Sequence, residues 1–123
     1  MPTQSKLLII DDNEEILVAL KNFFSKKDYL VVTASNGLDG LKLFEAGHDE
    51  YDLVITDLVM PNIGGVALIS MFKKQTQDLP IIAITGYGEQ PESLAREAQA
   101  DVVLEKPFKL EELEDIVKKL LDE

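Results

Sequence analysis

Residues 7–24 read LLIIDDNEEILVALKNFF. The four aliphatic residues Leu7 to Ile10 show no alternation. An unbroken apolar run of strand length marks a strand covered on both faces, the condition of a parallel sheet with helices on either side. Two aspartates and an asparagine follow, and then Ile16, Leu17, Leu20, Phe23 and Phe24 recur at the i, i+1, i+4, i+7, i+8 spacing of an amphipathic helix over 13–27. The chain therefore opens with a buried strand, an acidic turn and a helix.

The same unit repeats outward from there. Apolar runs of strand length recur from Leu30 to Ala34, Leu53 to Thr56, Pro80 to Thr85 and Asp101 to Leu104. A second strong helical pattern covers 110–122, carried by Leu110, Leu113, Ile116, Val117, Leu120 and Leu121. Thinner patterns follow Gly37 (Leu38, Leu41, Phe44) and Gly65 (Val66, Ile69, Phe72), and a short one starts at Pro91, a residue suited to the first helical position. Strand and helix alternate five times with no linker rich in Pro, Gly or Ser, which predicts a doubly wound α/β domain with right-handed crossovers. At 123 residues the chain has room for one such domain, 1–123.

Composition narrows the chemistry. With 12 basic and 23 acidic side chains the net charge is 12 − 23 = −11, and the lysines are scattered, so no basic face is available for a nucleic-acid backbone. No cysteine is present and His48 is the single histidine, which excludes a disulfide framework, a zinc ribbon and a thiol nucleophile. Any metal must be held by oxygen. The start, MPTQSKLLII, is too short in its apolar run to span a membrane and lacks a signal-peptide pattern, so a cytoplasmic location and no membrane partner are expected.

In an open sheet of this kind the site forms outside the carboxyl ends of the strands. The residues there are Asp11 and Asp12, Asp57, Thr85 and Lys106. Each has an ordinary explanation: Asp11 and Asp12 as helix-cap acids, Asp57 as a turn residue before Pro61, Asn62 and Gly64, Thr85 as a local hydroxyl, Lys106 as a lysine reaching solvent. Together on one rim they supply a nucleophile, metal ligands, a hydroxyl and a cation. Converging carboxylates raise one another's pKa unless a cation is present, and Mg²⁺, with its octahedral oxygen shell, suits the set.

The stretches IIDDN at 9–13, DLVMPNIGG at 57–65, ITGYG at 84–88 and EKPF at 105–108, in this order and at these separations, resemble the receiver domains of two-component response regulators over essentially the whole chain. The resemblance implies a flavodoxin-like five-stranded parallel sheet in the order 2-1-3-4-5 flanked by five helices. It implies Asp57 as phosphoacceptor, Asp12, Asp57 and the Val59 carbonyl as direct Mg²⁺ ligands, and Asp11 as a partner acting mainly through water on the ion. It also implies that Lys106 pairs with the aspartate and then the phosphoryl group, that the Thr85 hydroxyl closes onto it, and that Lys106–Pro107 is a cis peptide. The phosphoryl donor is expected to be a sensor histidine kinase, a phosphotransfer protein or a small acyl phosphate. The domain itself is a switch rather than an enzyme, catalysing only its own phosphorylation and dephosphorylation. Its output is the face made by the fourth helix, fifth strand and fifth helix, acting on a downstream protein or on an output domain of a longer chain, with no direct nucleic-acid contact.

This chain departs from the family where an aromatic often stands three residues before the lysine, since that position is Val103. A short β-branched side chain cannot sweep the volume of a ring, so the switch is expected to run through the loop after Thr85 and the fourth helix, whose candidate apolar contacts are Leu94, Ala95 and Ala98. Tyr87 and Val59 flank the approach of attacking water. His48 and the helix face carrying Glu111, Glu112, Glu114, Asp115, Lys118 and Lys119 read as solvated. An aspartyl-phosphate phosphatase would need a second acid where Val59 stands, and a flavodoxin-like cofactor binder would need a phosphate-cradling loop where DDNEE stands.

Overall fold

The computed structural model describes residues 4–47, 50–86, 95–96 and 98–122. Strands β1 (Lys6–Ile10), β2 (Leu30–Ala34), β3 (Leu53–Asp57), β4 (Ile81–Thr85) and β5 (Val102–Glu105) form one parallel sheet in the order β2-β1-β3-β4-β5. Helices α1 (Glu14–Lys26), α2 (Gly37–Ala46), α3 (Gly65–Gln75) and α4 (Leu110–Leu121) connect and cover them. Of the short helix expected from Pro91, Ala95 and Arg96 are helical, and residues 91–94 and 97 lie outside the described residues, as do His48 and Tyr87.

Strand periodicity sorts the core into two layers. Leu8 and Ile10 point to the side where Phe44 of α2 and Phe72 of α3 pack with ring centroids 4.3 Å apart. Leu7 and Ile9 point to the other side, against Leu17, Leu20 and Phe24 of α1 and Leu113 and Val117 of α4. Each fully buried Leu, Ile or Phe contributes roughly 1.5–3 kcal/mol of transfer free energy, so both layers are needed to offset chain entropy. Burial on both sides holds for the three inner strands, β3 and β4 throughout and β1 from Leu7 onward. It does not hold for the runs at Leu30 to Ala34 and Asp101 to Leu104, which the sequence presents in the same way. At the sheet edges, β2 and β5 are half-buried. Ala95 and Ala98 are buried in the layer with α3.

Local chemistry sets the helix ends. Asn13 caps α1, its Oδ1 accepting the N–H groups of Glu15 and Ile16 at 3.0 and 3.2 Å, a cap worth about 1 kcal/mol. Asn36 caps α2 by accepting the Asp39 N–H at 2.8 Å, while Asp39 accepts from the Asn36 amide at 3.0 Å, a reciprocal arrangement like a capping box. One expected surface residue is not on the surface. Glu114 of α4 is buried, with Lys118 Nζ 3.6 Å and Lys27 Nζ 3.9 Å from its carboxylate. It sits beside Leu113 at the edge of the apolar stripe, and packing of that stripe on α1 rolls it inward.

Candidate functional site

All five strands point the same way, so their carboxyl ends share one rim. The register keeps those ends level: Ile10 lies beside Thr56, Asp57 beside Ile84, and Thr85 beside Glu105. Asp11 follows β1 directly and its N–H still donates to the Ala34 carbonyl of β2 at 3.1 Å. Asp57 and Thr85 are the last residues of β3 and β4. Lys106 follows β5, and its N–H donates to the Thr85 carbonyl at 2.7 Å. The Lys106–Pro107 peptide is cis, as the resemblance implies.

The structure brings the acidic residues together. Carboxylate oxygens of Asp11, Asp12 and Asp57 lie within 4.8 Å of one another. Asp11 and Asp57 are buried, with 1% and 6% of their surface exposed, whereas Asp12 is open to solvent. Lys106 Nζ stands 3.7 Å from Asp11 Oδ2 and 3.7 Å from Asp57 Oδ2, ion-pair separations longer than a hydrogen bond. Among the described residues, these three carboxylates and the one ammonium beside them sum to −3 + 1 = −2.

Asp11 shows the strain of that charge. Burial pushes its carboxyl above the ordinary value of 3.8, while the Asn13 N–H and the Lys106 charge pull it back only in part, and Asp12 adds to the rise. Its Oδ1 accepts the Asn13 N–H at 2.9 Å. Its Oδ2 is buried and has no hydrogen-bond partner. A hard-oxygen donor set with excess negative charge and an orphaned carboxylate oxygen fits a divalent cation.

Val59, in the loop after β3, is half-exposed beside this cluster in sequence. Thr85 is buried at the end of β4. Val103 lies opposite Ala83 and packs against the α2 and α3 layer. Sequence reasoning passed over Thr56, whose buried hydroxyl donates to the Asp57 carbonyl at 3.0 Å. Its signal is a polar residue at the end of the apolar run Leu53 to Thr56, indistinguishable in sequence from an ordinary β-branched strand former.

The chain matches the family model described as the response regulator receiver domain over residues 7–118. It is 37% identical over 123 residues to the probable transcriptional regulator ycf27 of Guillardia theta, a match covering 98% of this chain and 47% of that protein. It is 32% identical over 117 residues to sporulation initiation phosphotransferase F of Bacillus subtilis (strain 168), covering 94% of this chain and 93% of that one. Among solved structures, the response regulator protein TrrA from Thermotoga maritima, in complex with Mg²⁺-BeF, superposes with a TM-score of 0.86 at 37% identity, covering 96% of this chain and all of that one. The chain thus spans about half the length of the Guillardia relative and nearly all of the Bacillus one.

Proposed function

This chain belongs to the response regulator receiver domain family and is a phosphoacceptor signalling domain of two-component systems, and on that premise we propose that Asp57 is its phosphoacceptor. The observation that carries the assignment is the Lys106 ammonium, 3.7 Å from Asp57 Oδ2, at a rim where Asp57 is the acid that ends a central strand. The whole chain, 1–123, acts as one such domain.

Asp57 attacks phosphorus with a carboxylate oxygen. The new Oδ–P bond forms as the bond from phosphorus to the donor's leaving group breaks, and the product is an acyl phosphate. The transferring group carries its charge on equatorial oxygens, where Lys106 and the Thr85 hydroxyl stabilise it. Asp12, Asp57 and the Val59 carbonyl would hold Mg²⁺ directly, with Asp11 supporting it, and the ion when bound neutralises the carboxylates and stabilises phosphoryl charge. Asp11 is oriented by the Asn13 N–H on Oδ1, and its Oδ2, which accepts no hydrogen bond, shares the Lys106 charge with Asp57. Water attacking phosphorus later returns the free carboxylate and releases inorganic phosphate.

The donor is a sensor histidine kinase, a phosphotransfer protein or a small acyl phosphate. The output is a cytoplasmic protein target or an output domain, reached through the face formed by β5, α4 and the helix expected from Pro91. With Val103 in place of a ring, that signal runs through the loop after Thr85 and the helix expected from Pro91. The test is direct: with Mg²⁺ and acetyl phosphate the protein should gain one phosphate that hydroxylamine removes, and Asp57→Asn should gain none. A hydroxylamine-labile phosphate on Asp57→Asn would sink the assignment.

A further inference from the structure

The loop 58–64 leaves the rim after Asp57 and returns to it at Gly65, whose N–H donates to the Leu58 carbonyl at 3.0 Å and closes the loop. Two glycines press on its ends. A Cβ on Gly65 would stand 2.8 Å from Leu58 Cα and closer still to the Asp57 carbonyl oxygen. A Cβ on Gly37, the first residue of α2, would stand 2.9 Å from Ile63 Cβ and closer still to the Ile63 carbonyl oxygen. The helix therefore meets the loop with bare backbone.

Glycine is the poorest helix former after proline, yet α2 carries Gly37 and Gly40, three residues apart on one face. A demand from outside the helix accounts for them. Gly40 lies against Ile10, where a Cβ would be 2.9 Å from Cγ1, so β1 backs the helix on that side. Between β1 and the loop, α2 is wedged, and of its two neighbours the loop is the one not held in the sheet.

We propose that the glycine face of α2 is a positioning element for phosphoryl transfer: Gly37 seats Ile63, and the seated loop holds the Val59 carbonyl and the Asp57 main chain in register with Asp11 and Lys106. This rests on the roles given above to Asp57 and Val59. Gly37 touches no reacting atom and acts through Ile63. Ordinary contact starts at 3.4 Å, so an added Cβ must gain at least 3.4 − 2.9 = 0.5 Å from Ile63 Cβ. The atoms in its way are main chain and Cβ, which cannot swing aside. Misplacement by about 1 Å can cost on the order of a hundredfold in rate, so roughly half that displacement sets the expectation near tenfold.

The experiment compares wild type, Gly37→Ala, Ile63→Gly and Gly47→Ala with Mg²⁺ and acetyl phosphate. It reads the phosphorylation rate against donor concentration, the Mg²⁺ dissociation constant from amide shifts, and folding by circular dichroism. Gly47 follows the same helix at its other end, where the nearest atoms to an added Cβ are those of the Glu50 side chain, so Gly47→Ala controls for a glycine replacement beside α2 that does not touch the loop. The expected result is a folded Gly37→Ala protein that phosphorylates about tenfold more slowly and binds Mg²⁺ several-fold more weakly, with Gly47→Ala unchanged. Should Gly37→Ala fail to fold, Ile63→Gly, which loosens the seat from the loop side without a clash, should weaken Mg²⁺ binding in the same direction. Folded variants with wild-type rate and Mg²⁺ affinity overturn the inference while leaving Asp57 in place. A wild-type protein that takes no phosphate, or takes it elsewhere, overturns the reading of Asp57 instead.

Discussion

Lys106 Nζ stands 3.7 Å from Asp57 Oδ2, close enough to neutralise the carboxylate and too far to tie it up in a short hydrogen bond. On the proposed reading of Asp57 as phosphoacceptor, the ammonium is placed to meet phosphoryl oxygens there. Lys106→Met removes that charge, and phosphorylation by a small donor should slow by about 10²- to 10³-fold, the usual loss for one stabilising donor. Lys106→Arg should recover little, because a planar fork does not replace a compact ammonium between two carboxylates. Initial rates of labile phosphate incorporation decide it, and a wild-type rate for Lys106→Met would remove Lys106 from the mechanism.

Burial holds the Asp11 carboxyl above 3.8, so the metal-free folded protein binds that proton more tightly than the unfolded chain does. The proton's stabilising contribution is present below about 3.8 and is lost as pH rises through the higher folded value, leaving the cost of a buried charge at neutral pH. Asp11→Asn keeps an Oδ1 acceptor for the Asn13 N–H and deletes the charge. In EDTA at pH 7 it should resist urea better than wild type by about 1 kcal/mol, a modest figure because solvent reaches the cluster beside Asp12. The advantage should shrink toward about pH 3.5. Equal stability at pH 7 would show that Lys106 fully compensates the charge.

Mg²⁺ should stabilise the wild type. An ion bound only by the folded state stabilises it by RT ln(1 + [L]/Kd), about 1.4 kcal/mol at ten times Kd. Wild type should gain this on adding Mg²⁺ and lose it to EDTA, while Asp12→Asn and Asp57→Asn should gain much less. Urea melts with and without the metal measure it; equal gains in all three proteins would place the ion elsewhere.

At the opposite end of the sheet, the Lys73 side chain is only 9% exposed and donates to the Leu79 carbonyl at 2.7 Å and to Asp101 Oδ2 at 2.9 Å. Asp101 Oδ2 also accepts the Ile81 N–H at 2.7 Å, so one lysine ties α3 to the starts of β4 and β5. Lys73→Met should destabilise the fold by roughly 1–3 kcal/mol by leaving those acceptors short of a donor. Phosphorylation of the folded fraction should keep its rate, since the tie is remote from the rim. A rate loss without a stability loss would contradict this separation.

The strands and helices were legible because their signals are local. The unbroken run Leu7 to Ile10 and the spacing Ile16, Leu17, Leu20, Phe23, Phe24 need no knowledge of the rest of the chain, and β1 and α1 form there. The acids after β1 and β3 could be placed at one rim because parallel strands bring all their carboxyl ends to the same side. Sequence-distant contacts were not legible in that way. That Asp11 is buried beside Lys106 while its neighbour Asp12 is exposed depends on where β5 lies in the sheet and how far one lysine reaches. That Glu114 turns inward depends on the roll of α4 against α1, to which a periodic pattern is blind within one residue at the stripe's edge. Gly37 against Ile63, Thr56 on the Asp57 carbonyl and Lys73 on Asp101 are decided by close packing between elements. The sequence by itself determined the alternation of elements and the residue types at the rim. Only the tertiary structure decided which charges share a counter-ion and which backbones touch, because those depend on distances of a few ångströms between segments that local propensity does not link.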